Sequence, residues 1–209
     1  MDKIEKLIQR VQETQHGFLN IQSAADEFVA GRSMNESLSV AERLFTSEAY
    51  QVRSLATFIL GRLAAQSNES LKFLKDRVSL DDDWRVQEIL AKAFDRYCFD
   101  NGYEQSLPVI KEWISDSTPN VRRSVTEGLR IWTGRPYFRD HPEIAVQLLS
   151  QLRNDESAYV RKSVGNSLRD ISKKHKELIK NELQLWDTSN KRVAQTYKLA
   201  SKFINKKDG

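Results

Sequence analysis

The stretch Asp81–Phe94 reads DDDWRVQEILAKAF, and its plan recurs along the chain. Lined up beside it are SEAYQVRSLATFIL from Ser47, DSTPNVRRSVTEGL from Asp116, DESAYVRKSVGNSL from Asp155 and, more weakly, TSNKRVAQTYKLAS from Thr188. The shared valines stand at 52, 86, 121, 160 and 193, separated by 34, 35, 39 and 33 residues. Four residues after each valine comes Ala56, Leu90, Val125, Val164 or Tyr197, and eleven after comes Leu63, Tyr97, Trp132, Ile171 or Ile204. Apolar positions at 0, +4 and +11 fall on one face of a helix, and five copies in register mark a repeat. Five residues before each valine stands Ser47, Asp81, Asp116, Asp155 or Thr188. All are residue types that cap helix N-termini, so they are expected to be the N-caps.

Shorter amphipathic segments lie between these helices. ESLKFLKDRV carries Leu71, Leu74 and Val78; QSLPVIKEWI carries Leu107, Ile110 and Ile114; HPEIAVQLLSQL carries Ile144, Leu148 and Leu152. Each unit therefore reads as a helix pair, and stacked pairs make a solenoid with a continuous core. The Trp-x-x-Leu-Gly and Thr-Pro-Leu-His patterns of other repeats with this period are absent, and the Asp, four residues, Val-Arg start is HEAT-like. Two further helices, Asp2 to His16 and about Phe18 to Ala30, precede the repeats. The expected architecture is all-α: a HEAT-like-repeat solenoid with a concave groove. It forms one domain over 1–209, with N-terminal helices in 1–32 and about five helix pairs in 33–209.

Composition agrees with long helices and short connections, with only 8 Gly and 4 Pro in 209 residues. No apolar run approaches membrane-spanning length and no hydrophobic segment follows MDKIEKLIQRVQ, so no membrane role is expected. A single cysteine, Cys98, excludes a disulfide framework and a cysteine-based zinc site, and points to a reducing cytoplasm. The net charge of +4 is unevenly placed: residues 153–209 hold 14 of the 33 Lys/Arg but 7 of the 29 Asp/Glu. A basic C-terminal third suits a polyanion partner, and equally an ordinary solvated surface.

Conventional catalytic motifs are missing. The glycines form no phosphate loop, and His16, His141 and His175 have no ligand spacing, so neither cofactor nor metal is expected. What remains is the face that the second helices turn to the groove. Two residues after the valines this face carries Ser54, Glu88, Arg123, Lys162 and Gln195; six after, Lys92, Glu127 and Asn166; nine after, Arg130 and Arg169. These could form a basic groove with one carboxylate, Glu88, and an aromatic edge, Trp84. A purely structural account competes: Arg53, Arg122 and Arg161 pair with acidic helix starts of neighbouring repeats, and Glu88 with Lys92 or Arg123.

DDDWRVQEILAKAFDRYC, NVRRSVTEGLRIWTGRPYF and YVRKSVGNSLRDISKKH resemble the HEAT-like-repeat DNA alkylation-repair family, the AlkD-type DNA glycosylases, from about Ser33 onward. The resemblance implies excision of cationic N3- and N7-alkylpurines from duplex DNA. Two tryptophans would lie against the deoxyribose, an aspartate would stabilise positive charge on the sugar, and arginines would grip the backbone. The first tryptophan falls on Trp84 and the gripping arginines on Arg123 and Arg169, with Arg130 and Lys162 on the same face. Four departures stand out. Glu88 replaces the aspartate, Asn166 replaces the second tryptophan, the chain ahead of the pocket is shorter by about one helix, and DDD adds negative charge where phosphates would pass. The resemblance with its departures implies a monomeric protein whose centre is degenerate and which binds duplex DNA, or a protein partner, through the concave face. The alternatives are an active alkylpurine glycosylase using Glu88 and Trp84, and a protein scaffold with no nucleic-acid contact.

Overall fold

A computed structural model describes residues 3–204, and every regular element among them is helical. The chain divides into two compact units, 1–101 and 102–209.

Unit 1 contains α1 (Lys3–Gln12), α2 (Leu19–Val29), α3 (Met34–Phe45), α4 (Tyr50–Leu63), α5 (Asn68–Asp76) and α6 (Trp84–Asn101). The helix expected over Asp2 to His16 stops at Gln12, and Asp2 itself lies outside the described residues. The second helices stack in series, α2 on α4 and α4 on α6, while α3 and α5 cover α4 from outside. Val52, Leu55 and Ile59 of α4 and Val86, Leu90 and Phe94 of α6 are all buried, as the valine register requires. At Gly61 the α4 and α6 backbones meet: a Cβ there would lie 2.7 Å from the Cβ of Ala93, closer than carbon atoms pack.

Unit 2 contains α7 (Leu107–Ile114), α8 (Pro119–Gly128), α9 (Pro136–Asp140), α10 (Pro142–Ser150), α11 (Ala158–Ser172), α12 (Lys176–Gln184) and α13 (Lys191–Ala200). Here α8, α11 and α13 stack, covered by α7, α10 and α12. Val121, Val125, Val160, Val164 and Ile171 are fully buried. Gly165 marks the matching close approach, its missing Cβ standing 2.6 Å from the Cβ of Leu199. All four prolines sit in the first turn of a helix, where no N–H is needed.

Two expectations need correction. Ser47, Asp81, Asp116 and Asp155 are not the N-caps. Their side chains accept from the backbone N–H two residues on, at Ala49, Asp83, Thr118 and Ser157, and each helix starts one residue after that. They are short-range turns leading into the helix rather than its cap. Trp132 is buried as expected but is not on its helix, because α8 ends at Gly128 and Trp132 opens a short 3₁₀ turn. The chain gets there through Ile131, whose φ of 53° and ψ of 56° are left-handed. A β-branched residue is strained there, and Ile131 is 57% exposed, so little packing offsets the strain. Ile131→Asn should therefore raise stability by about 1 kcal/mol, seen as a higher midpoint in denaturant at unchanged slope.

The acidic turn residues serve a second purpose. Asp81 accepts Nε and Nη2 of Arg53 at 2.6 and 3.1 Å, and Asp155 accepts the same atoms of Arg122 at 2.6 and 2.8 Å. Each arginine also donates Nη1 to two carbonyls of its own turn: Arg53 to Ser47 and Glu48, Arg122 to Asp116 and Ser117. Arg161 repeats the carbonyl contacts, with Asp155 and Glu156, but its Nη2 goes to Gln195 at 2.7 Å. The purely structural account thus holds for Arg53 and Arg122, which meet acidic turns of the neighbouring repeat, and not for Arg161, whose neighbouring turn carries Thr188 and which meets Gln195 instead. The partner hydrogen bonds hold Arg53 and Arg122 more firmly protonated than a free guanidinium, against the opposing effect of burial.

Candidate functional site

In unit 1, stacking in register sets the starts of α4 and α6 side by side. Tyr50 and Ser54 of α4 occupy the same repeat positions as Trp84 and Glu88 of α6, and all four line one cleft of about 520 Å³. Lys92, one turn beyond Glu88, extends the column, and the 15–18 connection ahead of α2 closes the cleft with His16 and Phe18. Trp84 is 62% exposed, Tyr50 and Glu88 are half-buried, and Ser54 is buried. The sequence reading thus placed Trp84, Glu88 and Lys92 correctly on one face. It missed Tyr50, Phe18 and Arg85, although Tyr50 occupies in its repeat the position that Trp84 holds in the next.

Arg85 changes the character of the cleft. Its guanidinium lies 4.3 Å from the ring centre of Tyr50 and 5.1 Å from that of Trp84. Asp83 holds it there, both carboxylate oxygens accepting Nη1 at 2.9 and 3.2 Å. Lys92 places its Nζ 4.1 Å from the Phe18 ring centre. The aromatic faces thus already carry protein cations. The acidic run is also less exposed than its sequence suggests, since Asp81 is engaged by Arg53 and Asp83 by Arg85, while Asp82 stays at the surface.

In unit 2, Arg123 is buried on α8 with its guanidinium 5.0 Å from the ring of Tyr159, which is 61% exposed. Lys162, Asn166 and Arg169 follow one face of α11: Lys162 is exposed, Asn166 and Arg169 half-buried. Arg169 reaches Asp170 at 3.4 Å and lies 6.0 Å from the Phe203 ring centre. Arg130 falls beyond the end of α8 and is held by Glu127 at 2.9 Å and Asp170 at 3.1 Å. Burial alone would raise the Asp170 carboxyl, but hydrogen bonds from Lys173 and Arg130 outweigh it and hold it below the usual carboxylate range. A depressed carboxyl stabilises the fold fully above its unfolded value, and that contribution fades as pH falls through the depressed one. Asp170→Asn should therefore cost about 2 kcal/mol near neutral pH, and the gap in midpoint from the parent should close only in acid.

Among the described residues no His, Cys, Asp and Glu side chains group as a metal site, and no helix is long and apolar enough to cross a membrane. Both arrays of helices, with a Trp–carboxylate pair at the start of α6, fit what sequence comparison finds. The model of the family described as DNA alkylation repair enzyme matches residues 4–201. The chain belongs to that family. This family member is similar in structure to AlkD2 from Streptococcus mutans, with 45% identity, a TM-score of 0.94, and 97% of this chain and 98% of that one covered. It is more distantly similar to the Pseudomonas fluorescens alkylpurine DNA glycosylase AlkC bound to DNA containing an abasic site analogue. The identity there is 25% and the TM-score 0.51, over 95% of this chain and 62% of AlkC. YhaZ, an uncharacterized protein of Bacillus subtilis (strain 168), is 36% identical over 87 residues, which span 40% of this chain and 24% of YhaZ.

Proposed function

We propose that this alkylation-repair protein binds duplex DNA while excising alkylpurines little or not at all. The observation that carries this reading is Arg85, stacked on Tyr50 and Trp84 and tied to Asp83 in the cleft that Glu88 also lines. Excision of a cationic alkylpurine builds positive charge on the sugar, and catalysis consists of stabilising that charge. A guanidinium held against the Tyr50 and Trp84 rings competes with the sugar for them and opposes the same charge. Glu88 further carries its carboxylate one methylene farther from the helix than the family's aspartate would. A displacement of about an ångström can cost on the order of a hundredfold in rate.

For binding, the supporting facts are the exposed Lys162 and the half-buried Arg169 on one face of α11, and a DNA-bound relative in AlkC. Arg123, stacked on Tyr159, is the third contact proposed, and Arg130 contributes less because Glu127 and Asp170 already engage it. The second reading, an active glycosylase, draws on Trp84 and Glu88 standing one turn apart on one cleft wall.

Two measurements decide. Release of 7-methylguanine or 3-methyladenine from duplex DNA should not exceed the spontaneous rate. Duplex affinity should fall steeply with salt, and Lys162→Ala and Arg169→Ala should each flatten that slope by about one unit. Rapid release, abolished by Glu88→Gln, would replace this reading by the enzymatic one. Salt-independent binding, or none, would leave a protein partner.

A further inference from the structure

We propose that the cleft at the start of α4 and α6 is a binding site for a nucleotide, a planar base bearing a phosphate, rather than for a cationic lesion. The inference rests on the reading of the cleft as non-excising.

Three observations support it. The cleft of about 520 Å³ has aromatic walls from Phe18, Tyr50 and Trp84, and Trp84 is 62% exposed even with the Arg85 guanidinium beside it, so part of its surface stays open to a flat ligand. Stacking on such side chains accepts any base, because every base has a π face. Two cations, Arg85 and Lys92, line the same space against one carboxylate, Glu88. Asp83 engages the Arg85 guanidinium through Nη1, and a guanidinium has further N–H groups in a planar fork suited to phosphate. Lys92 offers a point charge on the opposite, Phe18 side. A base seated on Trp84 would therefore meet donors for its phosphate and repulsion for any positive charge of its own. That is the reverse of the preference required to excise a cationic purine.

Trp84 also supplies the probe. Of the four tryptophans, Trp113, Trp132 and Trp186 are buried, so quenching by a stacking ligand should report on Trp84. Adenosine 5′-monophosphate is titrated into the intact protein, beside adenosine and the cationic nucleoside 7-methylguanosine, with calorimetry in parallel. The nucleotide should quench and bind about tenfold more tightly than adenosine, and more weakly as salt rises. Arg85→Ala and Lys92→Ala should each erase most of that preference, with helical content and melting midpoint checked for both. Trp84→Phe should remove the quench while calorimetry still detects binding. A short oligodeoxyadenylate, compared with the mononucleotide, tells a free nucleotide from one within a single strand by which binds more tightly. Equal binding of adenosine, tighter binding of 7-methylguanosine, indifference to both substitutions, or no heat at millimolar nucleotide would each overturn the proposal. Excision of 7-methylguanine by the unaltered protein tests the underlying reading separately.

Discussion

Asp155→Ala should destabilise the protein by about 3–5 kcal/mol, although the residue lies in a connecting turn. The Asp155 side chain is 4% exposed and that of Arg122 12%, so the pair is shielded from water on both sides. Removing the carboxylate deletes two charge-assisted hydrogen bonds and the acceptor for the Ser157 N–H, and leaves a guanidinium met by the Asp116 and Ser117 carbonyls and, at longer range, by the charges of Asp116 and Glu156. Arg122→Met combined with Asp155→Ala should cost less than the two single changes together, because neither then leaves a stranded charge. The pair Arg139–Asp140 is the control. Its side chains are 65% and 59% exposed, and Asp140→Ala should leave the unfolding midpoint where it is. Chemical denaturation of the four variants checks the whole set. Equal effects at the two sites would mean that burial does not govern these pairs.

Glu88→Asp combined with Arg85→Ala should release 7-methylguanine from duplex DNA about tenfold to a hundredfold faster than the parent protein. The first change restores the carboxylate length that the family resemblance implies. The second uncovers the Tyr50 and Trp84 faces and removes a positive charge from the place where another must develop. Either change alone should do less. Single-turnover release, measured on protein whose melting midpoint is intact, is the readout. An unchanged rate in the double variant would locate the defect outside this cleft, with Asn166 and the shorter N-terminal region next in line.

The fold was legible because burial follows a simple period. Five valines in register marked the stacking helices, and Val86, Val121 and Val160 are fully buried as that register requires. Helix starts were off by two residues for a physical reason: Ser and Asp satisfy turn amides as readily as helix N-termini, so residue type alone does not tell one from the other. Trp132 kept its place in the core while losing its helix, because a hydrophobic position constrains burial more than backbone path. At the site, Trp84 and Glu88 could be read from spacing along one helix. Arg85 could not, since its stacking on Tyr50 depends on α4 and α6 lying side by side. The order of charges in DDDWR gave no sign that Asp83 would turn back to hold Arg85 rather than face solvent.

The arginine-to-turn linkage has a bearing on how such a chain can change length. Asp81, Asp116 and Asp155 occupy one position in successive turns, and Arg53 and Arg122 meet the ones at 81 and 155 with the same atoms. The repeat between them is built differently: Gln87 stands where Arg53 and Arg122 do, and its amide donates to the carbonyls of Val78, Ser79 and Asp81. A module that carries the arginine could be followed by any of the three acidic turns, since each offers a carboxylate of the same reach. Arg161 meets another exception: the next turn carries Thr188 in that position, and its Nη2 turns to Gln195 instead. Exchange or duplication of modules is therefore open where an arginine precedes an acidic turn, and closed after Gln87 and after Arg161.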